Sequence, residues 1–560
     1  MSLKKLLAAS ARDYPDRVAF RFKQDRVWQE WTYDQFRRQV WRMAEAFAAY
    51  GVRPQDRVAL FGENSPLWPV AYFATVGLGA IAVPVDAKLR EIEVAHILTD
   101  SEAMLVVCGA QQVTVLQEIQ HQLHNLKHVV VLDAIGASLP HSAHIPYHAV
   151  EEDMHQHEGT AESVERAYDK VHPDRDDIAS LLYTSGTTGR QKGAMITHAN
   201  FMSNVASCRK AWPLDETDNF LLVLPLHHCL AFTGNLLLPL ACGASVSLVE
   251  SLRTVSENIR EVSPTTFIGV PLLLEKMHHR IMEGLQQNKM ASFLWRIGLR
   301  GPIRKGIRAK LGDRLRLVIT GGAPCDPRVL RGFDALGIRI LEGYGLTEAA
   351  PVLSINPPTR PKPGTIGKPL PDVEIRILDP NEEGVGELAA RGPNIMKGYF
   401  GNPEATEAVF QDDWLLTGDL GFIDDEGYIT LTGRRKSLIV NREGKNIYPE
   451  EVEGQLLSSP YVLEALVLGY REANDPVGEK VGVIVVPDQE TFDHDQHRAD
   501  PISDAELIRT IKSEVKRTSE KLAPYKRPRR VQVRMEEFEK TSTSKIKRYL
   551  YEMEASALEA

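Results

Sequence analysis

Residues Tyr183 to Gly193 read YTSGTTGRQKG. Just before them, Ile178-Ala-Ser-Leu-Leu-Tyr183 has the short apolar run of a buried strand. The chain then turns to hydroxyls and glycines and ends on Arg190 and Lys192. Glycine lets a backbone approach an anion closely, Ser and Thr add hydroxyl donors, and the two basic side chains add charge. A strand feeding such a loop points to polyphosphate. The ordinary alternative is a surface turn, which uses the same residue types. The P-loop NTPase pattern G-x-x-x-x-G-K-[ST] is excluded by register: Lys192 follows Gln191 and is itself followed by Gly193.

Outward from this loop, short apolar runs alternate with amphipathic patterns. Arg57–Phe61, Ala103–Val107, His128–Leu132 and Phe220–Leu224 read as strands; Tyr33–Tyr50 and Ala199–Ala211 read as helices, the second capped by Asn200. This alternation predicts an α/β fold with largely parallel sheets. The most apolar stretch, Val70–Val85, contains Gly77, Gly79 and Pro84 and is shorter than the ~20 residues of a spanning helix, so it reads as core. From about Lys436 the pattern changes. Pro449 suits the first position of a helix; strands at Leu463–Leu468 and Val481–Val486, a helix from Asp504 to about Lys521 and a strand at Arg530–Met535 make a compact α+β unit.

A chain of 560 residues holds three or four structural units at ~100–200 residues each. Its net charge of -9 argues against nucleic acid as the main partner. Cys108, Cys208, Cys229, Cys242 and Cys325 form no C-x-x-C pair, which fits free thiols, a reducing compartment and a cytoplasmic location. Residues 1–20 carry no long apolar core and read as no signal peptide. His141, His144, His148, His155 and His157 lie in a polar stretch without ligand-like spacing and read as a solvated loop, as does the polar stretch 488–503.

Four further stretches follow the first: TGGAPCDP (Thr320–Pro327), EGYGLTEAA (Glu342–Ala350), DWLLTGDLGFIDDEGYITLTGRRKSLIV (Asp413–Val440) and KTSTSKIKRY (Lys540–Tyr549). Each alone has an ordinary reading as a turn or strand end. Together and in this order, the five resemble the adenylate-forming (AMP-binding) superfamily of acyl-CoA synthetases, luciferases and peptide-synthetase adenylation domains, over nearly the whole chain. The resemblance implies an α/β N-terminal adenylation domain of several subdomains, layered from sheets and helices, at 1–436. A small mobile α+β C-terminal domain at 437–560 would follow it.

It also implies ATP, Mg²⁺ and coenzyme A as cofactors and co-substrates. Thr184, Ser185, Gly186, Thr187, Thr188, Gly189 and Lys192 match the loop around the β- and γ-phosphates, although proline is usual where Gln191 stands. Gly322, Ala323 and Pro324 resemble the adenine wall, and Glu342, Gly343, Tyr344 and Gly345 the strand whose aromatic stacks on adenine. Thr347 matches an α-phosphate contact; Glu348, with Thr184, matches the Mg²⁺ ligands. Asp419 and Arg434 match the ribose contacts. Lys545 resembles the catalytic lysine of adenylation, Gly444 the loop lining the pantetheine tunnel, and Ser437 occupies the hinge position where Asp or Lys is usual. Ser544 stands where glycine is common. A non-catalytic binding protein on this fold is expected to have lost Lys192, Glu348, Asp419 or Lys545, and all four are present.

LPLHHCLAFTG (Leu224–Gly234) resembles the acyl-pocket segment, with His228 near the reacting carboxylate and Phe232 at a gate position. Gly234, Asn235, Leu236, Gly269, Val270 and Pro271 are apolar or small, with no charge placed to recognise an amino or second carboxylate group. The pattern is most similar to bacterial long-chain fatty acid–CoA ligases. Acyl carrier protein is the alternative acceptor, and a medium-chain or aryl acid the alternative acid. Finally, Arg296, Arg300, Arg304, Lys305, Arg308, Lys310, Arg314 and Arg316 are interleaved with apolar residues. This stretch predicts peripheral contact with an anionic membrane, at its inner face, without a spanning segment.

Overall fold

The computed structural model describes residues 1–133, 145–150, 154, 167–184, 190–472, 475–489, 491–492, 502–540 and 546–553. The chain forms two compact units. The first comprises Met1–Gly186, Arg190–Ile375 and Ala390–Leu415; the second comprises Thr187–Gly189, Arg376–Ala389 and Leu416–Ala560. The sequence-based division after residue 436 falls within the second unit.

Two sheets organise the first unit, as the α/β alternation predicts. In the seven-stranded sheet the strands Tyr147–Ala149, His128–Val131, Leu105–Cys108, Arg57–Phe61, Ile81–Val85 and Ile178–Thr184 run parallel in that spatial order. Lys192–Thr197 closes the edge as the antiparallel partner of Ile178–Thr184. The nine-stranded sheet has a parallel centre, Ile340–Gly345, Leu317–Thr320, Thr266–Gly269, Asn219–Leu222, Ser245–Leu248 and Val18–Gln24, with antiparallel strands added at both ends. Parallel strands are covered on both faces, which is why they read as unbroken apolar runs. The helix Leu67–Gly77 is apolar on all sides and buried along nearly its whole length, so Val70–Val85 is core. Each large side chain buried there contributes roughly 1.5–3 kcal/mol.

The helix expected at Ala199–Ala211 runs His198–Ala211, and its cap differs from the sequence reading. Thr197 is the N-cap; Asn200 sits one turn in and returns the bond, its Oδ1 accepting from Thr197 N at 2.8 Å while Thr197 Oγ1 accepts from Asn200 N at 3.1 Å. Either residue type can cap, and the last strand residue before the helix decides which one does. All five cysteines are buried free thiols.

The basic stretch is two helices, Lys289–Arg296 and Gly301–Lys310, broken at Gly298, whose φ is 83°. Ile303 and Ile307 pack inward. Arg304 donates to Ala335 O, Arg308 to Leu315 O, Arg314 to Thr217 O, and Arg316 pairs with Asp218. Arg304, Arg314 and Arg316 hold the segment to its own domain, and the Arg308 bond closes within the segment. Met290, Phe293, Ile297 and Leu299 are 67%, 58%, 51% and 56% exposed. No helix among the described residues is long and apolar enough to cross a membrane.

The second unit contains the antiparallel pair Trp414–Ile423 and Ile429–Arg434 from Leu416 onward. It also contains a three-stranded sheet, Val462–Glu472, Asp475–Pro487 and Arg530–Val533, covered by the helices Pro449–Leu456 and Asp504–Ser519. Pro449 occupies the first helical turn, where its missing N–H costs no hydrogen bond.

Candidate active site

The strands Ile178–Thr184 and Lys192–Thr197, which flank the Tyr183–Gly193 motif, pair antiparallel. Thr184 and Lys192 are register partners at the end of this pair, so both flank the residues between the strands. Ser185, Gly186, Thr187, Thr188 and Gly189 lie outside the described residues. The Lys192 ammonium lies 5.3 Å from the centroid of the Tyr399 ring, a cation–π distance. The Tyr399 hydroxyl donates to Glu348 Oε1 at 2.8 Å. Burial and the adjacent Glu348 both push the Tyr399 hydroxyl pKa up, so it stays a donor. The segment around Tyr399 is laced to the hairpin and to the Glu348 turn by backbone bonds: Met195 N to Gly398 O, Phe400 N to Gly193 O, and Met396 N to Glu348 O, at 2.8–2.9 Å. Lys192 and Glu348 are thus joined through a residue that the sequence reading did not single out. Its signal was the run Gly398-Tyr399-Phe400-Gly401, whose two glycines take φ values of 133° and 62°.

Glu348 lies in the short 3₁₀ turn Thr347–Ala349 that follows strand Ile340–Gly345. A Cβ on Gly345 would lie 2.0 Å from Pro351 O, so only glycine fits this turn. Gly322, at φ 85°, starts the exposed turn Gly322-Ala323-Pro324 after the neighbouring strand Leu317–Thr320. Both turns lie beyond the carboxyl ends of parallel strands, where open α/β sheets bind ligands. Tyr344 is partly buried at the end of its strand, and Gly343 pairs with Ile355. Burial pushes Glu342 up to about 7, against a hydrogen bond from Gly364 N at 2.9 Å.

The acyl-type segment is close to these turns. A Cβ on Gly321 would lie 3.8 Å from Leu230, and Thr233 Oγ1 donates to Ala350 O at 3.1 Å. Asn64 clamps the loop leading in, donating to Leu224 O at 2.9 Å and accepting from Leu226 N at 2.8 Å. His228 then caps the helix Cys229–Phe232, which passes into the π-helical turn Thr233–Leu237. The Phe232 ring is buried against Tyr72, Phe201 and Trp68, at centroid distances of 4.3, 5.1 and 6.3 Å. It is part of the packed core rather than an exposed gate. Gly234 and Gly269 are closely packed: a Cβ on either would come within 2.9 Å of Ile268 or Phe267, respectively. His228 Nε2 lies 3.1 Å from His227 Nε2, which lies 3.5 Å from Asp86 Oδ2. Burial lowers the His227 imidazole to about 4, against the pull of Asp86, so it is neutral near pH 7.

In the second unit, Asp419 is buried and register-paired with Arg434, whose Nε contacts Asp419 Oδ1 at 3.0 Å. Glu387 braces the adjoining turn, accepting from Gly418 N at 3.1 Å and from Arg435 at 2.6 Å. Ser437 ends the 3₁₀ turn Arg435–Ser437. Gly444, at φ 74°, lies in the turn between Ile439–Val440 and Asn446–Ile447, with open space around its Cα. Lys545 lies outside the described residues.

Residues 7–400 match the family model of AMP-binding enzymes, and residues 451–545 match that of the AMP-binding enzyme C-terminal domain. The chain is 28% identical to the long-chain-fatty-acid–CoA ligase FadD15 of Mycobacterium bovis, over 98% of this chain and 95% of that one. It is 32% identical to a feruloyl-CoA synthase of an Amycolatopsis species, over 83% and 85%. The solved structure of o-succinylbenzoate coenzyme A synthetase (MenE) from Bacillus subtilis, in complex with ATP and magnesium ion, matches at TM-score 0.74. Its identity is 27%, and the match covers 97% of this chain and 98% of that one. With the family model matched over residues 7–400, most of its length, this chain belongs to the AMP-binding enzymes.

Proposed function

We propose that this AMP-forming acid–CoA ligase activates a long-chain fatty acid. The observation that supports the reading is the pairing of a charged end with an uncharged one. Lys192, Tyr399 and Glu348 are joined at the hairpin and its neighbouring turn. The residues that the family resemblance assigns to the acyl side, Phe232, Gly234, Gly269 and Val270, carry no charge to meet a polar tail. In the first step the acid's carboxylate attacks the α-phosphorus of ATP, the bond to the bridging oxygen breaks, and pyrophosphate leaves. In the second, the thiol of coenzyme A gives up its proton and attacks the acyl carbon, and AMP leaves with the C–O electron pair.

In this reading Thr184, Lys192 and the loop Ser185–Gly189 hold the β- and γ-phosphates. Gly322, Ala323, Pro324, Gly343 and Tyr344 frame adenine, Thr347 bonds the α-phosphate, and Asp419 with Arg434 takes the ribose hydroxyls. His228 faces the carboxylate, and Lys545 neutralises charge at the attacked phosphate. Mg²⁺ bound with ATP supplies charge neutralisation on the phosphates. Thr184 and Glu348 offer the oxygen donors a hard cation takes, and the Tyr399 bond fixes the Glu348 carboxylate for it. Pyrophosphate release across fatty acids of increasing length, with ferulate and o-succinylbenzoate alongside, tests the acid. Product mass with coenzyme A or acyl carrier protein tests the acceptor. Rates should rise with chain length and the product should be acyl-CoA; a preference for an aryl acid, or acylation of carrier protein alone, overturns the reading.

The acid is delivered, in this reading, at a bilayer surface. Met290, Phe293, Ile297 and Leu299 are exposed beside Lys289, Arg296, Arg300 and Lys305, a combination complementary to anionic lipid. Flotation with anionic vesicles at low salt should carry the protein upward. Phe293→Ser with Ile297→Ser should abolish that, and no flotation of the parent protein refutes the contact.

A further inference from the structure

We propose that Asp86, His227 and His228 form a binding site for a divalent transition metal of the Zn²⁺ class, separate from the Mg²⁺ that accompanies ATP. One donor atom from each lies within 4.8 Å of the other two. Ligands held tetrahedrally at the ~2.0–2.1 Å typical of Zn–N and Zn–O bonds are about 3.4 Å apart. The measured separations of 3.1 Å between the two Nε2 atoms and 3.5 Å from His227 Nε2 to Asp86 Oδ2 lie on either side of that edge length. Two imidazoles and one carboxylate suit Zn²⁺, Co²⁺ or Cu²⁺ and not Mg²⁺, which takes oxygen donors.

The donors are positioned before any ion arrives. Asp86 immediately follows strand Ile81–Val85, and its Oδ1 accepts from Lys88 N at 3.0 Å, which turns Oδ2 toward His227. The two histidines stand on the loop that Asn64 clamps at both Leu224 and Leu226, and His228 N bonds Pro225 O at 3.1 Å. Partners that fix ligands in this way raise metal affinity. The His227 and Asp86 side chains are only 8% and 13% exposed. Lys88 nearby opposes a cation, and the Asp86 carboxylate must offset it.

Occupancy ties up His228. Metal binding is therefore expected to inhibit acid activation reversibly, a consequence that rests on the placement of His228 proposed above; the binding itself does not.

The test is Co²⁺ titration of the tag-free, full-length protein, read by visible d–d absorption, with Zn²⁺ titration by calorimetry alongside. One equivalent is expected to bind. Asp86→Asn and His227→Gln should each weaken binding by ~10-fold or more, with unchanged thermal midpoints in metal-free buffer showing that the variants fold. The absence of one-equivalent Co²⁺ absorption in the parent protein overturns the site, as does equal affinity in folded variants; the cluster is then a hydrogen-bonded pair beside a carboxylate. Binding without inhibition upholds the site and overturns the role given to His228.

Discussion

Tyr399 makes two contacts whose removal can be separated. Its ring lies beside the Lys192 ammonium, and its hydroxyl bonds Glu348 Oε1. Tyr399→Phe keeps the first and deletes the second. A hydrogen bond to a charged group contributes ~1.5–3 kcal/mol, so pyrophosphate release should slow by roughly 10- to 100-fold while the thermal midpoint falls by no more than a few degrees. Unchanged turnover means that the bond does not orient Glu348. Glu342 gives a pH prediction. Its folded value of about 7 lies above the ordinary 4.5, so the folded state holds a proton that the unfolded state releases first. That stabilisation is fully present below about 4.5 and is lost as pH rises through about 7. Glu342→Gln keeps the acceptor for Gly364 N and cannot ionise. The parent's melting temperature should therefore fall more than the variant's across this window, and parallel curves refute the shift.

At the scale of elements, the loop Leu224–His228 shows how one remote side chain fixes a segment. Asn64 bonds it at two points, 160 and 162 residues away in sequence. Asn64→Ala leaves a part-buried N–H and C=O without these bonds, a loss of ~1–3 kcal/mol. Because the loop carries His228, the KM for the acid should rise while the KM for ATP stays close to the parent value. Equal changes in both would mean general loosening of the fold. The helix His198–Ala211 carries a related lesson. A capping box needs two residues three apart; the sequence reading took Asn200 as the cap, and the structure puts Thr197 there with Asn200 completing the box. Asn200 also donates to Pro393 O and Ile395 O, at 2.9 and 2.7 Å, so it both completes the capping box and anchors the distant segment after strand Gly386–Arg391.

For the whole molecule, the proposed two-step chemistry assigns separate duties to residues of the second unit. Lys545→Ala should slow adenylation by about 10²–10³-fold, the range for removing one transition-state charge partner. It should spare thioester formation from supplied acyl-adenylate; equal losses in both half-reactions refute the assignment. Gly444→Trp should do the reverse, since the space beside Gly444 is open; its φ of 74° strains any side chain there, so an unchanged thermal midpoint must accompany the loss of thioester formation. Normal overall turnover in that variant removes Gly444 from the thiol's path.

The sequence alone determined the α/β class, most strands to within a few residues, the core nature of Val70–Val85 and the family. These follow from local chemistry: apolar runs, glycines at sharp turns and ordered short motifs are properties of adjacent residues. Tertiary structure alone decided which side chains meet. Tyr399 reaches Glu348 across 51 residues, and Asp86 reaches His227 from the end of another strand, because sheet order and backbone lacing bring those segments together. The basic stretch Arg296–Arg316 read as charges interleaved with apolar residues, with nothing to say which of them face outward. Packing divides it, with Arg304, Arg308, Arg314 and Arg316 bound back to backbone or Asp218, and Phe293, Ile297 and Leu299 left exposed. Charge and hydropathy are written in each residue, but burial depends on what the rest of the chain places against it.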